Sequence, residues 1–149
     1  MVKVLFVCIH NSARSQMAEA FLNKLGAGLF LAESAGLEAG TLNPFVVKVM
    51  QEIDYDLSKN KTKSVFDFFQ EGRRYQAVIK VCDQINGERC PIFPQTLINE
   101  NWNLEDPSAI EGDEHAKLQR TREIRDQIKE RVLQFIEDHK AFALKRQDA

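Results

Sequence analysis

The chain has 149 residues, of which 44% are hydrophobic and 28% are charged, and its formal net charge is −2. This length and composition predict one globular domain over residues 1–149. The small net charge gives no reason to expect nucleic-acid binding, and no apolar run in the sequence is long enough to predict a membrane span.

The apolar amino terminus is short and contains Lys3, so it does not resemble a secretory signal. We therefore expect a protein of the cytoplasm, where thiols are kept reduced. The expected oligomeric state is a monomer. The three cysteines are Cys8, Cys82 and Cys90. An odd number of cysteines leaves at least one thiol unpaired, which suits a reactive site or thiol exchange with a partner.

Predicted strands and helices alternate along the chain. The nearly continuous apolar run over residues 2–7 predicts a strand buried on both faces. In chain order there follow a helix over 16–25, a strand over 29–35, a helix over 43–53, a short helix over 65–69, a strand over 77–81, a short strand over 96–98 and a long helix from 111. This order predicts a doubly wound α/β domain with a four-stranded parallel sheet flanked by helices.

The loop between the first strand and the first helix indicates an anion site. Cys8 ends the strand, and five residues separate it from Arg14. A loop that closes onto a helix amino terminus presents backbone N–H groups and the positive end of the helix dipole, which suit a tetrahedral oxyanion. The guanidinium of Arg14 can bind the same anion with two hydrogen bonds. The predicted oxyanion-binding residues are Ile9, His10, Asn11, Ser12, Ala13, Arg14 and Ser15.

Cys8 is the predicted nucleophile of this loop. A lone cysteine at a strand end can be a buried structural residue, but the strand, the Cys-x5-Arg-Ser spacing and the helix together favour a reactive role. The positive surroundings favour its thiolate form. Ser15 can donate a hydrogen bond to the sulfur or cap the helix. Asn11 is expected to shape the loop through its side chain, and His10 to contribute its N–H rather than act as a base.

Two further cysteines follow the third predicted strand. Cys82 ends that strand, and seven residues separate it from Cys90. Because parallel strands bring their carboxyl ends to one edge, we expect Cys82 to open onto the same edge as Cys8. This arrangement favours a thiol relay over inert packing residues. It predicts no metal site, since the three histidines do not complete a set of zinc ligands.

Asp106 precedes Pro107 in a predicted loop before the last helix. Proline restricts the backbone on both sides, so the carboxylate can be held in one direction. It could then protonate a departing oxygen or help to deprotonate an attacking thiol. An Asp-Pro turn without chemistry explains the same residues equally well.

Segment 4–20 resembles the start of thioredoxin-coupled arsenate reductases, which share the fold of low-molecular-weight protein tyrosine phosphatases. It reads Val-Leu-Phe-Val-Cys-Ile-His-Asn-Ser-Ala-Arg-Ser-Gln-Met-Ala-Glu-Ala. Short motifs at residues 33–36, 43–44, 81–82, 90–91 and 106–107 extend the resemblance over nearly the whole chain. By function, it implies a nucleophile (Cys8), an oxyanion clamp (Arg14), a thiolate partner (Ser15), a resolving pair (Cys82 and Cys90) and an acid/base (Asp106).

The resemblance implies reduction of arsenate to arsenite for arsenic detoxification. Cys8 attacks arsenic, Cys82 attacks the Cys8 sulfur as arsenite leaves, and Cys90 then attacks Cys82. Thioredoxin is the expected reductant of the resulting disulfide. Glutaredoxin with glutathione is the alternative, since the segment between Cys82 and Cys90 is slightly longer than in some members.

Two other functions use the same loop. A low-molecular-weight protein tyrosine phosphatase would use Cys8, Arg14 and Asp106, and an oxyanion-sensing module would need no relay. The pair Cys82 and Cys90, and the absence of an aromatic residue after Asp106-Pro107, favour the reductase.

No cofactor is expected, and a potassium ion is the single candidate that the resemblance raises. Some members bind this ion through Asn, Glu, Ser and Asp side chains. Asn11, Glu19 and Ser34 match three of these, but Lys61-Thr62-Lys63-Ser64 stands where those members carry Asp.

Overall fold

The apolar run at the amino terminus forms the centre of a parallel sheet. A computed structural model of the protein describes residues 1–81 and 90–147. In it, β1 (Val2–Cys8) is almost completely buried because it pairs with a strand on each side. The other strands are β2 (Phe30–Gly36), β3 (Ala77–Lys80) and β4 (Ile98–Asn101). Their order is β2-β1-β3-β4 and every pair is parallel, which confirms the predicted fold class.

Four α-helices in the described ranges cover this sheet: α1 (Arg14–Leu25), α2 (Pro44–Gln51), α3 (Val65–Gln70) and α4 (Glu114–Gln147). Helices α1 and α2 pack against α4, and both α1 and α3 contact β2. A short 3-10 helix (Pro107–Ala109) precedes α4. No helix in residues 1–81 or 90–147 is long and apolar enough to cross a membrane.

The predicted strand over 96–98 is wrong in position, because β4 lies at Ile98–Asn101. Leu97 is largely exposed, and the hydroxyl of Thr96 bonds to the Tyr75 carbonyl in a turn. β4 is the outer strand beside β3, so one of its faces meets solvent and accepts polar residues. The backbone pairing with β3, rather than an apolar run, decides which residues form this strand.

The last helix begins at Glu114 rather than at 111. Gly112 has a positive φ of 117°, which a helix cannot contain. The next residue, Asp113, accepts a hydrogen bond on its carboxylate from the Ala116 N–H at 2.8 Å. An aspartate that satisfies a free N–H of the first turn marks the helix start.

An aromatic cluster joins α4 to the sheet and to the segment that follows β4. The Trp102 ring lies 5.6 Å from Phe6 of β1 and 6.2 Å from Phe135 of α4, between ring centroids. Trp102 is fully buried, and its backbone N–H donates to the Lys80 carbonyl at 2.7 Å. This anchor holds the start of the loop that leads to Asp106 at the carboxyl edge of the sheet, where open α/β sheets bind ligands.

Candidate active site

Cys8 lies at the bottom of the loop that joins β1 to α1. Its side chain is buried, and two groups of the same loop bind its sulfur. The Asn11 N–H donates to Sγ at 3.1 Å, and the Ser15 hydroxyl lies 2.8 Å from Sγ. The loop therefore holds the sulfur of the predicted nucleophile among hydrogen-bonding groups.

Ser15 lies inside α1, so the predicted capping role of this residue is wrong. The helix starts at Arg14, and no side chain caps it. The Ser15 hydroxyl bonds instead to Cys8 and receives the Asn11 amide N–H at 2.8 Å. The hydroxyl is thus held toward the sulfur by a third residue, which suits the thiolate-partner role that the resemblance implies.

Replacing Ser15 with alanine should lower kcat/KM about 10- to 100-fold. The variant removes a hydrogen bond to a charged sulfur, an interaction of roughly 1.5–3 kcal/mol. Steady-state kinetics on arsenate and on an aryl phosphate measures this loss, and calorimetric binding of phosphate serves as the control. The role of Ser15 is contradicted if phosphate binding falls as much as kcat/KM, because the serine would then act on the oxyanion alone.

The loop carbonyl groups turn outward, toward the segment after β2. Four backbone hydrogen bonds of 2.9–3.0 Å join them to that segment: Leu37 N to Cys8 O, Glu38 N to Ile9 O, Gly40 N to His10 O and Asn43 N to Ser12 O. In a planar trans peptide the N–H points opposite to the C=O, so the following N–H groups point away from that segment. The Asn11 N–H, which reaches Cys8, is one of them. The loop thus forms a set of inward donors suited to an oxyanion.

His10 lies at the exposed rim of this loop. Its Nδ1 is 3.2 Å from a Glu38 carboxylate oxygen, and both side chains are more than half exposed. The structure places its backbone in the predicted oxyanion loop and its ring in solvent. Ser12 and Ile9 are half-buried, and Ala13 is buried.

Asn11 organises the loop from inside. Its φ is 55°, a left-handed conformation that asparagine tolerates better than most residues. Its carbonyl Oδ1 accepts hydrogen bonds from Gln16 Nε2 at 3.1 Å and from the Lys63 N–H at 3.0 Å. The side chain therefore connects the loop, helix α1 and the segment before α3.

Gln16 is a site residue that sequence reasoning missed. It is fully buried, and its amide donates to the Asn11 carbonyl at 3.1 Å and to the Lys61 carbonyl at 3.0 Å. Its Oε1 accepts from Asn60 Nδ2 at 3.1 Å. By helical spacing Gln16 lies opposite the apolar residues Met17, Phe21 and Leu22, so the pattern of α1 gave no signal that it is buried. Its amide is satisfied at both ends, as a buried amide requires.

Arg14 is buried and oriented by the loop that contains Asp106. Its NH1 donates to the Leu104 carbonyl at 2.8 Å, and its NH2 lies 3.8 Å from Asp106 Oδ2. The Asp106 Oδ1 accepts from the Ser108 N–H at 2.9 Å. One Asp106 oxygen thus shapes the turn while the other faces the arginine, and the acid/base role of this carboxyl stays a prediction. The contact of Arg14 with the Leu104 carbonyl was not predictable from the sequence, since every residue has a backbone carbonyl and the side chain of Leu104 takes no part.

Cys90 is buried near the carboxyl end of β3, and its Sγ lies 3.6 Å from the Pro91 carbonyl. Burial raises the pKa of the Cys90 thiol, and the positive charge of Lys80 partly opposes this. Cys82 and its predicted neighbourhood with Cys8 lie outside the described residues. Within 1–81 and 90–147, no group of three His, Cys, Asp or Glu side chains could hold a metal ion.

Asn11, Glu19 and Ser34, the residues that match potassium ligands of some members of the resembled family, lie beneath the loop together with a lysine. The Lys63 ammonium is 3.6 Å from Glu19 Oε1 and 3.5 Å from Ser34 Oγ. Asn11 belongs to the same region through the Lys63 N–H. The positive charge beside Glu19 and Ser34 is therefore the ammonium of Lys63.

Comparison with known proteins gives consistent matches over this whole structure. A curated relative from Synechocystis named glutaredoxin arsenate reductase is 37% identical over 89% of this chain and 94% of its own length. An arsenate reductase from Bacillus subtilis is 34% identical over 92% of this chain and 96% of its own length. A solved structure described as an arsenate reductase in the phosphate binding state superposes with a TM-score of 0.78 at 37% identity, covering 93% of this chain and 98% of that one.

The family model described as low molecular weight phosphotyrosine protein phosphatase matches residues 3–148. This range includes the oxyanion loop, the whole sheet except Val2, and all of α4. Together with the arsenate reductase relatives, the match explains both the Cys-x5-Arg loop and the parallel sheet that carries it. The chain belongs to the low molecular weight phosphotyrosine protein phosphatase family, in which its relatives include arsenate reductases.

Proposed function

We propose that this protein is an arsenate reductase that uses a relay of Cys8, Cys82 and Cys90 for arsenic detoxification in the cytoplasm. The observation that carries the proposal is the Cys8 sulfur, bound by Ser15 and the Asn11 N–H at the centre of an oxyanion loop. Its relatives named arsenate reductases support arsenate as the substrate.

In the first step, the Cys8 thiolate attacks the arsenic atom of bound arsenate. An S–As bond forms, an As–O bond breaks, and the oxygen leaves as water after it takes up a proton. Arg14 is held by the Leu104 carbonyl in a position to bind the oxyanion, and the Asp106 carboxyl, 3.8 Å from the Arg14 guanidinium, can supply the proton. The inward N–H groups of the loop stabilise the negative charge that develops on oxygen.

In the second step, the Cys82 thiolate attacks the Cys8 sulfur. A disulfide forms, and the S–As bond breaks with its electron pair going to arsenic, so arsenic is reduced by two electrons and leaves as arsenite. Cys90 then attacks Cys82, which frees the Cys8 thiolate and leaves a Cys82–Cys90 disulfide. Burial raises the pKa of the Cys90 thiol. Because the thiolate is the attacking form, Cys90 must become more exposed or transfer its proton to a base before it attacks.

A dithiol protein must then reduce the Cys82–Cys90 disulfide. We propose thioredoxin, since a disulfide within one chain is a suitable substrate for a dithiol. Glutaredoxin with glutathione is the alternative, and the name of the Synechocystis relative supports it.

Phosphatase activity is the second candidate function, and the position of Asp106 favours it. Its Oδ2 lies 3.8 Å from Arg14, where an acid could protonate the leaving group of a phosphate ester. Arsenate and phosphate have nearly the same shape and charge, so slow hydrolysis of aryl phosphates is expected from a reductase as well.

Arsenate-dependent oxidation of NADPH tests the proposal, with thioredoxin and its reductase in one series and with glutathione, glutaredoxin and glutathione reductase in another. Wild type should turn over in at least one series. Cys82→Ser and Cys90→Ser should each lose at least about 100-fold in steady-state turnover, because a relay without its resolving thiol stops after one cycle.

Hydrolysis of an aryl phosphate by the same variants is the control, since it requires neither resolving cysteine. A wild-type protein that hydrolyses the aryl phosphate efficiently but reduces no arsenate in either series would support the phosphatase. Unchanged arsenate turnover in Cys82→Ser would exclude the relay.

A further inference from the structure

Lys63 and Glu19 form an ion pair beneath the oxyanion loop. The Lys63 Nζ lies 3.6 Å from Glu19 Oε1, and the Glu19 side chain is 17% exposed. The same ammonium is 3.5 Å from the Ser34 hydroxyl of β2. Burial raises the pKa of Glu19, and the charge of Lys63 is the main opposing influence. A carboxylate this buried requires a positive partner to remain charged.

The backbone of Lys63 connects this ion pair to the catalytic loop. Its N–H donates to Asn11 Oδ1 at 3.0 Å, and its carbonyl accepts from the Gly36 N–H at 2.8 Å. Asn11 in turn donates to Cys8 through its own N–H and to Ser15 through its amide. The position of Lys63 is therefore transmitted to the nucleophile by two consecutive hydrogen bonds.

The side chains around this pair do not fit an additional metal cation. Asn11 Oδ1 already accepts from the Lys63 N–H at 3.0 Å, and Gln16 Nε2, which Asn11 Oδ1 shares with two backbone carbonyls, lies 3.1 Å away, so two donors face this oxygen. The Glu19 carboxylate and the Ser34 hydroxyl face the ammonium. A second cation among these oxygens would lie beside a like charge, which costs free energy in a partly buried site.

Other charges near the pair do not replace Lys63. Glu33, Asp67, Glu71 and Arg73 line the same depression. Arg73 is paired with Glu33 and Glu71, so its charge is engaged away from Glu19.

We propose that the Lys63 ammonium takes the place of a bound monovalent cation beneath the oxyanion loop, so that this protein needs no potassium to hold Asn11 and Cys8 in position. Lys63 is in this sense a positioning residue. The role does not depend on which reaction Cys8 performs, and it can be tested without arsenate.

Thermal unfolding in 100 mM KCl and in 100 mM choline chloride tests this role. Wild type should have the same Tm in both salts. Lys63→Met removes the charge and leaves the carboxylate of Glu19 in a pocket that a potassium ion can enter. The variant should therefore have a lower Tm in choline chloride and regain about 3 °C or more in KCl, the shift expected from a ligand tenfold above its Kd.

Two control variants isolate the charge. Lys59→Met changes an exposed lysine of the same segment and should show no difference between the salts. Glu19→Gln combined with Lys63→Met removes both charges and should also lose the response to potassium, since no buried carboxylate remains.

A selective rise in the wild-type Tm with KCl would overturn the proposal, because it would reveal a cation site that the ammonium does not fill. So would equal Tm values of Lys63→Met in the two salts. If Lys63→Met fails to fold even in KCl while the double variant folds, potassium cannot replace the ammonium, and the proposal is again overturned.

Discussion

Replacing Cys8 with serine should abolish arsenate reduction and aryl phosphate hydrolysis, with a loss of more than about 1,000-fold in kcat. The hydroxyl that replaces the thiol remains protonated at neutral pH, so it is a poor nucleophile. Ser15 cannot take its place, because Asn11 directs the Ser15 hydroxyl at position 8. Steady-state assays of both reactions measure the effect.

Phosphate binding by Cys8→Ser shows whether the variant has lost only its nucleophile or the oxyanion site as a whole. Cys8→Ser keeps Arg14 and the inward N–H groups, so it should bind phosphate within a few-fold of wild type by calorimetry. It should also unfold at a similar temperature, since serine can accept the Asn11 N–H as sulfur does. Residual arsenate turnover within 10-fold of wild type would show that Cys8 is not the attacking residue.

Gly36→Ala should be the most disruptive single-methyl change in the site. Gly36 ends β2 beside Cys8, and a Cβ there would lie 2.6 Å from Asn11 N, 2.7 Å from Ile9 O and 2.8 Å from Glu38 O. All three atoms are backbone, so the strand and the oxyanion loop must separate to admit a methyl group. We expect a loss of about 2–4 kcal/mol in the free energy of unfolding, or roughly 5–15 °C in Tm, and weaker phosphate binding.

Gly72→Ala is the matched control for this variant. Gly72 has a positive φ of 76° but no atom within 4 Å of a built Cβ, so it tests backbone strain without a clash. It should cost about 1 kcal/mol and leave phosphate binding unchanged. Denaturant unfolding and calorimetry compare the two variants. Equal losses in both would mean that close contact with the loop is not what requires glycine at position 36.

The sequence predicts strands and helices that have a strong local pattern. It does not predict the bounds of a strand that forms only because it pairs with a neighbouring strand. The apolar run over 2–7 indicates a strand buried on both faces because it is shorter than a typical helix and rich in valine. β4 carries Asn99, Glu100 and Asn101, which favour loops by composition. These residues form a strand because β3 offers them an open edge in a fixed register.

The same division holds in the site. Cys8, Arg14 and Ser15 were recognisable because a strand, a loop of fixed length and a helix are contiguous in the chain. The group that orients Arg14, the Leu104 carbonyl, is 90 residues away, and the partners of Gln16 are as much as 45 residues away. Contacts between such distant residues depend on how the elements pack, and no local pattern records them.

The sequence by itself predicted Cys8 as the nucleophile, the oxyanion loop and a parallel sheet, because the Cys-x5-Arg spacing is local and strands alternate with helices along the chain. Only the tertiary structure decided that Ser15 faces sulfur instead of capping a helix, and that Lys63 neutralises Glu19. The physical reason is that a hydrogen bond or an ion pair depends on distance and burial in three dimensions. Both are set by the packing of α1, β2 and the segment before α3 around the Cys8 loop.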